Sequence, residues 1–223
     1  MLKKINIDLH VHTNYSKCAL LQPSEIESLA LRRGLDGVAI TDHNTIDGAL
    51  EVFRLAKKIK VIIGEEIKTT RGEIIGYFLK DHIPALLSPE ETIKEIKSQG
   101  GLVSVPHPFD RLRKSRMAIE ALEKILPDLD LIEVFNARDI LTGQDFGLIE
   151  KACQLGAVPV AVSDAHFRVE VGRSYVILED FETPEDFLKN IKNASRIKRK
   201  SPFWVHLVTK ALKAYRKKKR KHP

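Results

Sequence analysis

Short apolar runs, each followed by polar side chains of the kind that bind metals, recur along this chain with helix-patterned stretches between most of them. That alternation limits the fold more tightly than anything else in the sequence. Strand-like runs fall at 5–7, 37–40, 61–63, 73–79, 102–105, 131–135, 158–162 and 174–178. They are too short for helices, and several are rich in β-branched residues. Helical patterns fill 23–33, closed by Gly34, then 45–58 with Thr45 as N-cap, 88–99, 116–126, 144–155 and 184–193. The runs at 73–79 and 174–178 follow their predecessors without a helix. Just after the strand runs come His10 and His12, Asp42 and His43, Glu66, His107, Asn136, and Asp164 and His166. Parallel βα barrels carry their chemistry at these strand ends. Some seven βα-like units in about 190 residues is short for an eight-fold barrel. The expected fold is therefore an α/β, distorted seven-stranded (βα)7 barrel with a C-terminal basic amphipathic helix. An open doubly wound sheet is the alternative, and it would gather those residues only near a switch point.

The first such junction is Asp8-Leu9-His10-Val11-His12-Thr13. Read as a strand, its period of two sends Asp8, His10 and His12 to one side and Leu9 and Val11 to the other. Two imidazoles and a carboxylate at the end of a buried strand cost free energy unless they find partners. His-x-His on a strand is a good chelate for a divalent metal. The competing reading is a coincidental histidine pair.

With 223 residues, 43% of them hydrophobic, the chain can build one sizeable core, which excludes a disordered protein. Two cysteines make no disulfide framework and favour a reducing, cytoplasmic setting. The N-terminal MLKKINIDL runs straight into the histidine motif, so no cleavable signal peptide is expected. No apolar run approaches the roughly 20 residues of a transmembrane helix. The net charge of +7 conceals two regions. From Arg196 on there are twelve Lys or Arg and no acid, whereas residues 1–195 carry 25 basic against 30 acidic side chains. The expected division is a domain at 1–195 and a basic helix or tail at 196–223.

Five motifs stand in order: DLHVHT at 8–13, TDHN at 41–44, GEE at 64–66, PHP at 106–108 and SDAH at 163–166. Together they resemble the polymerase-and-histidinol-phosphatase (PHP) family of metal-dependent phosphoesterases, over about residues 3–195. The resemblance implies a distorted (βα)7 barrel and metal ligands His10, His12, Glu66, His107, Asp164 and His166, with His43 in the same cluster. It selects Glu66 over Glu65, because the family motif reads Gly-any-Glu. It also implies that Asp8 orients a ligand imidazole; Asp42 is either a similar support or an ordinary turn residue.

Two positions depart from the family pattern. Lys17 stands near a place where many members have a ligand; a protonated lysine cannot ligate a metal, and a phosphate contact is the role left to it. Glu73 stands where many relatives carry a histidine, and a carboxylate can still bind a hard metal. Two divalent ions, with a third allowed, are expected, and Mn, Zn or Fe suit the mixed ligands. Such a site activates a water, so no Ser or Cys nucleophile is needed. His43 or Asp164 is the candidate proton shuttle. Arg138 is the first choice to clamp a substrate phosphate. Arg111, Arg113, Arg116, Arg168 and Arg173 are alternatives, while His82 and His206 read as surface or packing residues. The expected activity is hydrolysis of a phosphate mono- or diester, with nucleotides and oligonucleotide ends among the substrates. A histidinol-phosphate-type small-molecule phosphatase and a non-catalytic metal-binding regulatory module remain open.

In the tail, Phe203, Trp204, Leu207, Val208, Ala211, Leu212 and Tyr215 share one helical stripe, with the run 217–221 beyond it wholly basic. The stripe fits three uses: docking on the body, gripping nucleic acid, or lying on an anionic membrane surface.

Overall fold

The structure is a computed structural model that describes residues 3–140 and 145–221, with side chains described up to 216. One sheet organises it. Nine strands follow the order β7-β6-β5-β4-β3-β2-β1-β8-β9. In chain order these are β1 (Lys4–Val11), β2 (Gly37–Ile40), β3 (Lys60–Lys68), β4 (Glu73–Tyr77), β5 (Leu102–Val105), β6 (Leu131–Asn136), β7 (Val158–Val162), β8 (Tyr175–Glu179) and β9 (Ser195–Ile197). The helices are α1 (Pro23–Arg32), α2 (Asp47–Leu55), α3 (Pro89–Ser98), α4 (Ile119–Ile125), α5 (Phe146–Gln154), α6 (Pro184–Ile191) and α7 (Trp204–Lys221).

The expected seven strands become nine, for a reason of chain length. Four residues, Thr69 to Gly72, turn β3 back into β4, and the Thr69 N–H closes the turn on the Gly72 carbonyl at 2.8 Å. A turn that short allows only antiparallel pairing, and β4 runs antiparallel to both β3 and β5. β8 pairs antiparallel with β1, and the short β9, with no apolar run to betray it, pairs antiparallel with β8. The parallel pairs are β1–β2, β2–β3, β5–β6 and β6–β7.

The sheet nearly closes on itself. Just beyond β7, the Ala165 carbonyl accepts from the His12 N–H at 2.8 Å, and the Ala165 N–H donates to the His10 carbonyl at 3.2 Å. This seam makes the molecule a barrel rather than the open doubly wound sheet. It also brings the first and last strand ends of the parallel set together.

The alternation of β1 holds. Ile5, Ile7 and Leu9 join one buried cluster with Ile62, Tyr77 and Val160, while Asp8 and His10 point the other way. The Tyr77 hydroxyl, fully buried there, donates to the Leu9 carbonyl at 3.0 Å. A second cluster packs α3, α4 and α5 onto β3–β6 through Ile96, Leu122, Leu148, Ile67 and Ile74. A third packs α1 and α2 onto β1 and β2 through Ile26, Ala30, Val52, Val11 and Ile40.

Helix ends differ from their expected positions where local hydrogen bonds compete. α2 starts at Asp47, whose N–H donates to the Thr45 hydroxyl, and stops at Leu55. Beyond it the Glu27 carboxylate accepts the Lys57 and Lys58 N–H groups, which pulls 57–58 out of the helix. α4 starts at Ile119 because Ala118 is extended and donates to the Arg71 carbonyl at 3.0 Å. Position 144, the expected start of the fifth helix, lies outside the described residues. Among the described residues no helix is long and apolar enough to cross a membrane.

α7 packs differently from the expected stripe. Val205 is buried and Thr209, Leu212 and Arg216 are half-buried, a spacing of four, three and four that defines the docked face. Phe203, Trp204, Leu207, Val208 and Tyr215 are instead exposed.

Gly48, at the start of α2, sets how closely that helix approaches the strand ends. A Cβ at this position would overlap Asp42 Oδ2 and Thr13 Oγ1. Gly48→Ala is expected to cost about 1–3 kcal/mol and to lower the melting temperature; an unchanged thermal melt would show that the Asp42 carboxylate can move aside.

Candidate metal centre

At the C-terminal ends of β1, β2, β3, β5 and β7 the chain buries a cluster of imidazoles and carboxylates. β1 delivers His10 and His12. β2 leads to Asp42 and His43, β3 carries Glu66, β5 leads to His107, and β7 leads to Asp164 and His166. All are buried except His43, which is half-buried and open to solvent on one side. His107 and Asp164 sit at positive φ, 32° and 53°. Backbone of this kind is costly for non-glycine residues and concentrates at functional sites.

Three of the imidazoles are held through Nδ1. His10 Nδ1 lies 2.6 Å from Glu133 Oε1, and since a carboxylate only accepts, the imidazole donates. His12 Nδ1 lies 3.2 Å from Ser16 Oγ. That hydroxyl spends its own proton on Asp42 Oδ1 at 2.5 Å, so it accepts from His12. His166 Nδ1 donates to the Asp164 carbonyl at 2.9 Å. In His10 and His12 the Nε2 edge faces the cluster, as in metal sites whose ligand imidazoles are tied back by a second hydrogen bond.

The consequence at the centre is specific. His10 Nε2 and His12 Nε2 face each other at 2.9 Å. With both Nδ1 atoms protonated, two lone pairs would meet there unless a cation intervenes. In the metal-free chain a proton serves. Burial disfavours an imidazolium at His10, but the charges of Glu133, Asp164 and Glu66 overcome it and raise its pKa well above the usual value. His12 goes the other way, to about 4, through burial and the neighbouring His43. Positive charge is therefore favoured between His10 Nε2 and His12 Nε2.

The carboxylates complete the case. Glu66 spreads its two oxygens, Oε1 3.0 Å from His107 Nε2 and Oε2 2.9 Å from His43 Nδ1 and 3.4 Å from His12 Nε2. Asp164 Oδ1 has no hydrogen-bond partner although it is buried 3.3 Å from His12 Nε2 and 3.4 Å from His166 Nδ1. Burial would raise both carboxyls; the histidines around Glu66, and Arg113 and His10 beside Asp164, instead hold both well below the usual range. An ionised, unpartnered buried oxygen among imidazole edges fits a divalent metal. Among the described residues, three overlapping groups have the required spacing: His10, His12 and Glu66; His12, His43 and His166; and His43, Glu66 and Glu73.

The remaining sequence candidates fall into place one by one. Glu73 does face the cluster, 3.7 Å from His107 Nε2 and 3.9 Å from His43 Nδ1; burial and the Glu66 charge raise its pKa. Glu65 points to the opposite side of β3, where it meets His82 at 2.8 Å and the Ile83 N–H at 3.1 Å. Asp8 orients no imidazole. It accepts from the Ser163 and Gly172 N–H groups at 3.1 and 3.0 Å and so fastens β1 to the chain beyond β7, and burial lifts its pKa to about 6. Asp42 is the support instead, accepting from Thr13 and from the Ser16 that holds His12.

Lys17 is exposed, because Ser16 and Cys18 on either side turn inward. Arg168 pairs with Glu25 at the surface, and Arg173 donates to the Val169 carbonyl. Arg113 is bound to Asp164 Oδ2 at 2.5 Å and lies 3.8 Å from Asp139. Arg138 is only 4% exposed; its Nη2 donates to Thr209 Oγ1 at 2.6 Å, its Nε lies 3.4 Å from Glu170, and among the described residues its Nη1 has no partner.

Sequence reasoning missed Glu133. Besides holding His10, it accepts the His107 N–H at 2.8 Å and the Asn136 amide at 3.0 Å. The signal was there, a lone carboxylate between Ile132 and Val134 in an apolar run. His206, read as a surface or packing residue, lines the cleft above the cluster.

Glu133→Gln is expected to weaken divalent-metal affinity by about 10- to 100-fold, as read by chelator competition; unchanged affinity would remove His10 orientation as its role. Because a metal must displace the proton held between His10 and His12, metal uptake near neutral pH is expected to release a proton. Calorimetry in buffers of different ionisation enthalpy detects it, and buffer-independent heats would show that the pair is already neutral.

The geometry has relatives. The model of the PHP domain family matches residues 8–200. MJ0417, an uncharacterized protein of Methanocaldococcus jannaschii, is 35% identical over 200 residues, 87% of this chain and 80% of that protein. A two-domain protein from Bacteroides vulgatus, containing a predicted PHP-like metal-dependent phosphoesterase, superposes with a TM-score of 0.71 at 18% identity, over 89% of this chain and 66% of its own. A lesion-specific endonuclease from Pyrococcus furiosus superposes with a TM-score of 0.62 at 18% identity, over 87% of this chain and 58% of its own. The span of the family match and the length of chain shared with MJ0417 lead to one conclusion: this chain belongs to the PHP domain family.

Proposed function

We propose that the protein is a metal-dependent phosphoesterase that hydrolyses a phosphate ester of a nucleotide or of an oligonucleotide end. The observation that carries this reading is the charge of the cleft above the metal ligands. Its cavity of about 700 Å³ is lined by His43, Glu73 and His166 and rimmed by Lys68, Lys114, Arg138, Lys210 and Lys213. A neighbouring hollow of about 530 Å³ shares Lys68, Glu73 and Lys114 and adds Arg71 and Arg116. Cations gathered over a cluster built from imidazoles and carboxylates suit a polyanionic phosphate substrate.

His10, His12, Glu66, His107, Asp164 and His166 hold the metals in this reading, with His43 and Glu73 bordering them; two ions are the proposed number. Bound divalent metals there would lower the pKa of a water and neutralise phosphoryl charge. This chain's own residues do the rest. Arg138, with Nη2 and Nε already engaged, offers the free Nη1 to a phosphoryl oxygen. Asp164 is held ionised by Arg113 and has no proton to give. His43 lines the cleft, and Glu66 together with the Cys18 side chain raises its pKa against the effect of burial, so it carries the proton for the leaving oxygen.

Hydrolysis of phosphomonoesters, dinucleotides and short single strands by protein refilled with Mn, Zn, Fe or Mg tests this. Turnover is expected to require metal and to vanish in His10→Ala/His12→Ala, and Arg138→Ala is expected to raise KM about tenfold or more with metal affinity retained. Stoichiometric metal binding with no turnover on any substrate would overturn the proposal in favour of a non-catalytic metal-binding module.

A further inference from the structure

α7 is fastened over the mouth of the cleft at two places. Near its start, Thr209 accepts from Arg138 Nη2 at 2.6 Å and donates to the Val205 carbonyl at 3.0 Å. About two turns farther on, the Arg216 guanidinium donates to the Ser16 and Ala19 carbonyls at 3.2 and 3.3 Å. Ser16 is the residue that holds His12, so the helix is anchored on the same loop as the metal cluster. This places Phe203, His206, Leu207, Lys210 and Lys213 in the lining of the cleft, which Lys68 and Lys114 line from elsewhere in the fold.

That lining has two features of a grip on single-stranded nucleic acid. The first is unneutralised positive charge. Among the described residues none of Lys68, Lys114, Lys210 and Lys213 forms an ion pair, and from Phe187 to the end the sequence contains no acid. The second is apolar surface between the charges. Phe203 is 66% and Leu207 59% exposed, with Phe203 6.0 Å from the His206 ring. Lysines that track a phosphate backbone beside an aromatic face on which a base can stack are how proteins hold single strands without reading sequence. The charges line the same concave cleft as His43, Glu73 and His166, so a strand end can enter where a lipid surface cannot.

We propose that α7 is a substrate-selecting wall: a single-stranded nucleic acid runs between Lys210 and Lys213 on α7 and Lys68 and Lys114 elsewhere on the rim, with a base against Phe203 and its end over the metal cluster. The inference rests on the phosphoesterase reading only for what happens at that end. Binding of the strand can be measured without turnover.

The test uses the full chain and a 5′-phosphorylated single strand about a dozen nucleotides long, with phosphorothioate linkages, followed by fluorescence anisotropy across a salt series. Lys210→Ala/Lys213→Ala is expected to weaken binding about tenfold and to reduce the slope of log affinity against log salt by about 1.4, two phosphate contacts' worth. Phe203→Ala is expected to weaken binding with the slope unchanged. Lys189→Ala/Lys192→Ala, an exposed pair at the C-terminal end of α6 away from the cleft, is the control for charge alone. No binding by the wild type, an unchanged slope in the α7 pair, or an equal loss in the control pair would each overturn the proposal. Strand binding that behaves as expected beside failure to hydrolyse any ester would retain the grip and discard the hydrolase.

Discussion

The structure turns on a buried contact between two nitrogens. His10 Nε2 and His12 Nε2 stand 2.9 Å apart with their rings locked from behind by Glu133 and Ser16. Such a pair is stable only with positive charge between its members, and the surroundings are arranged to keep it. Glu66 and Asp164 supply compensating negative charge, Arg113 holds Asp164 ionised, and Asp42 holds the serine that holds His12. Each of these side chains comes from a different strand end or loop. The barrel seam between β1 and the chain beyond β7 is what brings them within reach.

This dependence explains features that look unrelated. Gly48 has no side chain because Asp42 and Thr13 occupy the space a Cβ would need. Positive φ at His107 and Asp164 aims both side chains back into the barrel mouth at a cost the rest of the fold has to cover. Asp8, buried and proton-prone at about 6, spends its hydrogen bonds on the seam rather than on the metal cluster. The polar residues that hold the centre together thus divide into those that aim ligands and those that close the barrel.

The C-terminal helix extends the same site. Through Thr209 and Arg216 it is tied to Arg138 and to the loop of Ser16, and it turns cations and an aromatic ring toward a cleft whose floor is the metal cluster. An acidic body and a basic tail are therefore not two independent regions of charge. The negative charge is concentrated where metals belong and the positive charge lines the approach to it, an arrangement suited to drawing a polyanion inward.

The alternation, the strand ends and most of the clustered imidazoles and carboxylates are legible in the sequence, because strand period and apolar run length are local properties. His10, His12, Glu66, His107, Asp164 and His166 all lie where a strand run stops, and the structure brings them together. The choice of Glu66 over Glu65 came from the family motif, and the structure agrees with it, since Glu65 meets His82 and the Ile83 N–H on the other side of β3. What only the tertiary structure decided was pairing across distance. Nothing near Glu133 in the sequence says that it will hold His10, 123 residues away. Nothing near Arg113 says that Asp164 will claim it. The nine strands, rather than seven, come from a four-residue turn and from a short edge strand without hydrophobic pattern. The face α7 presents to the body is not its most apolar one, because hydrogen bonds from Arg138 and Arg216 set its orientation more than hydrophobic area does. Local pattern placed the chemistry at the strand ends; closure of the sheet decided which residues support it.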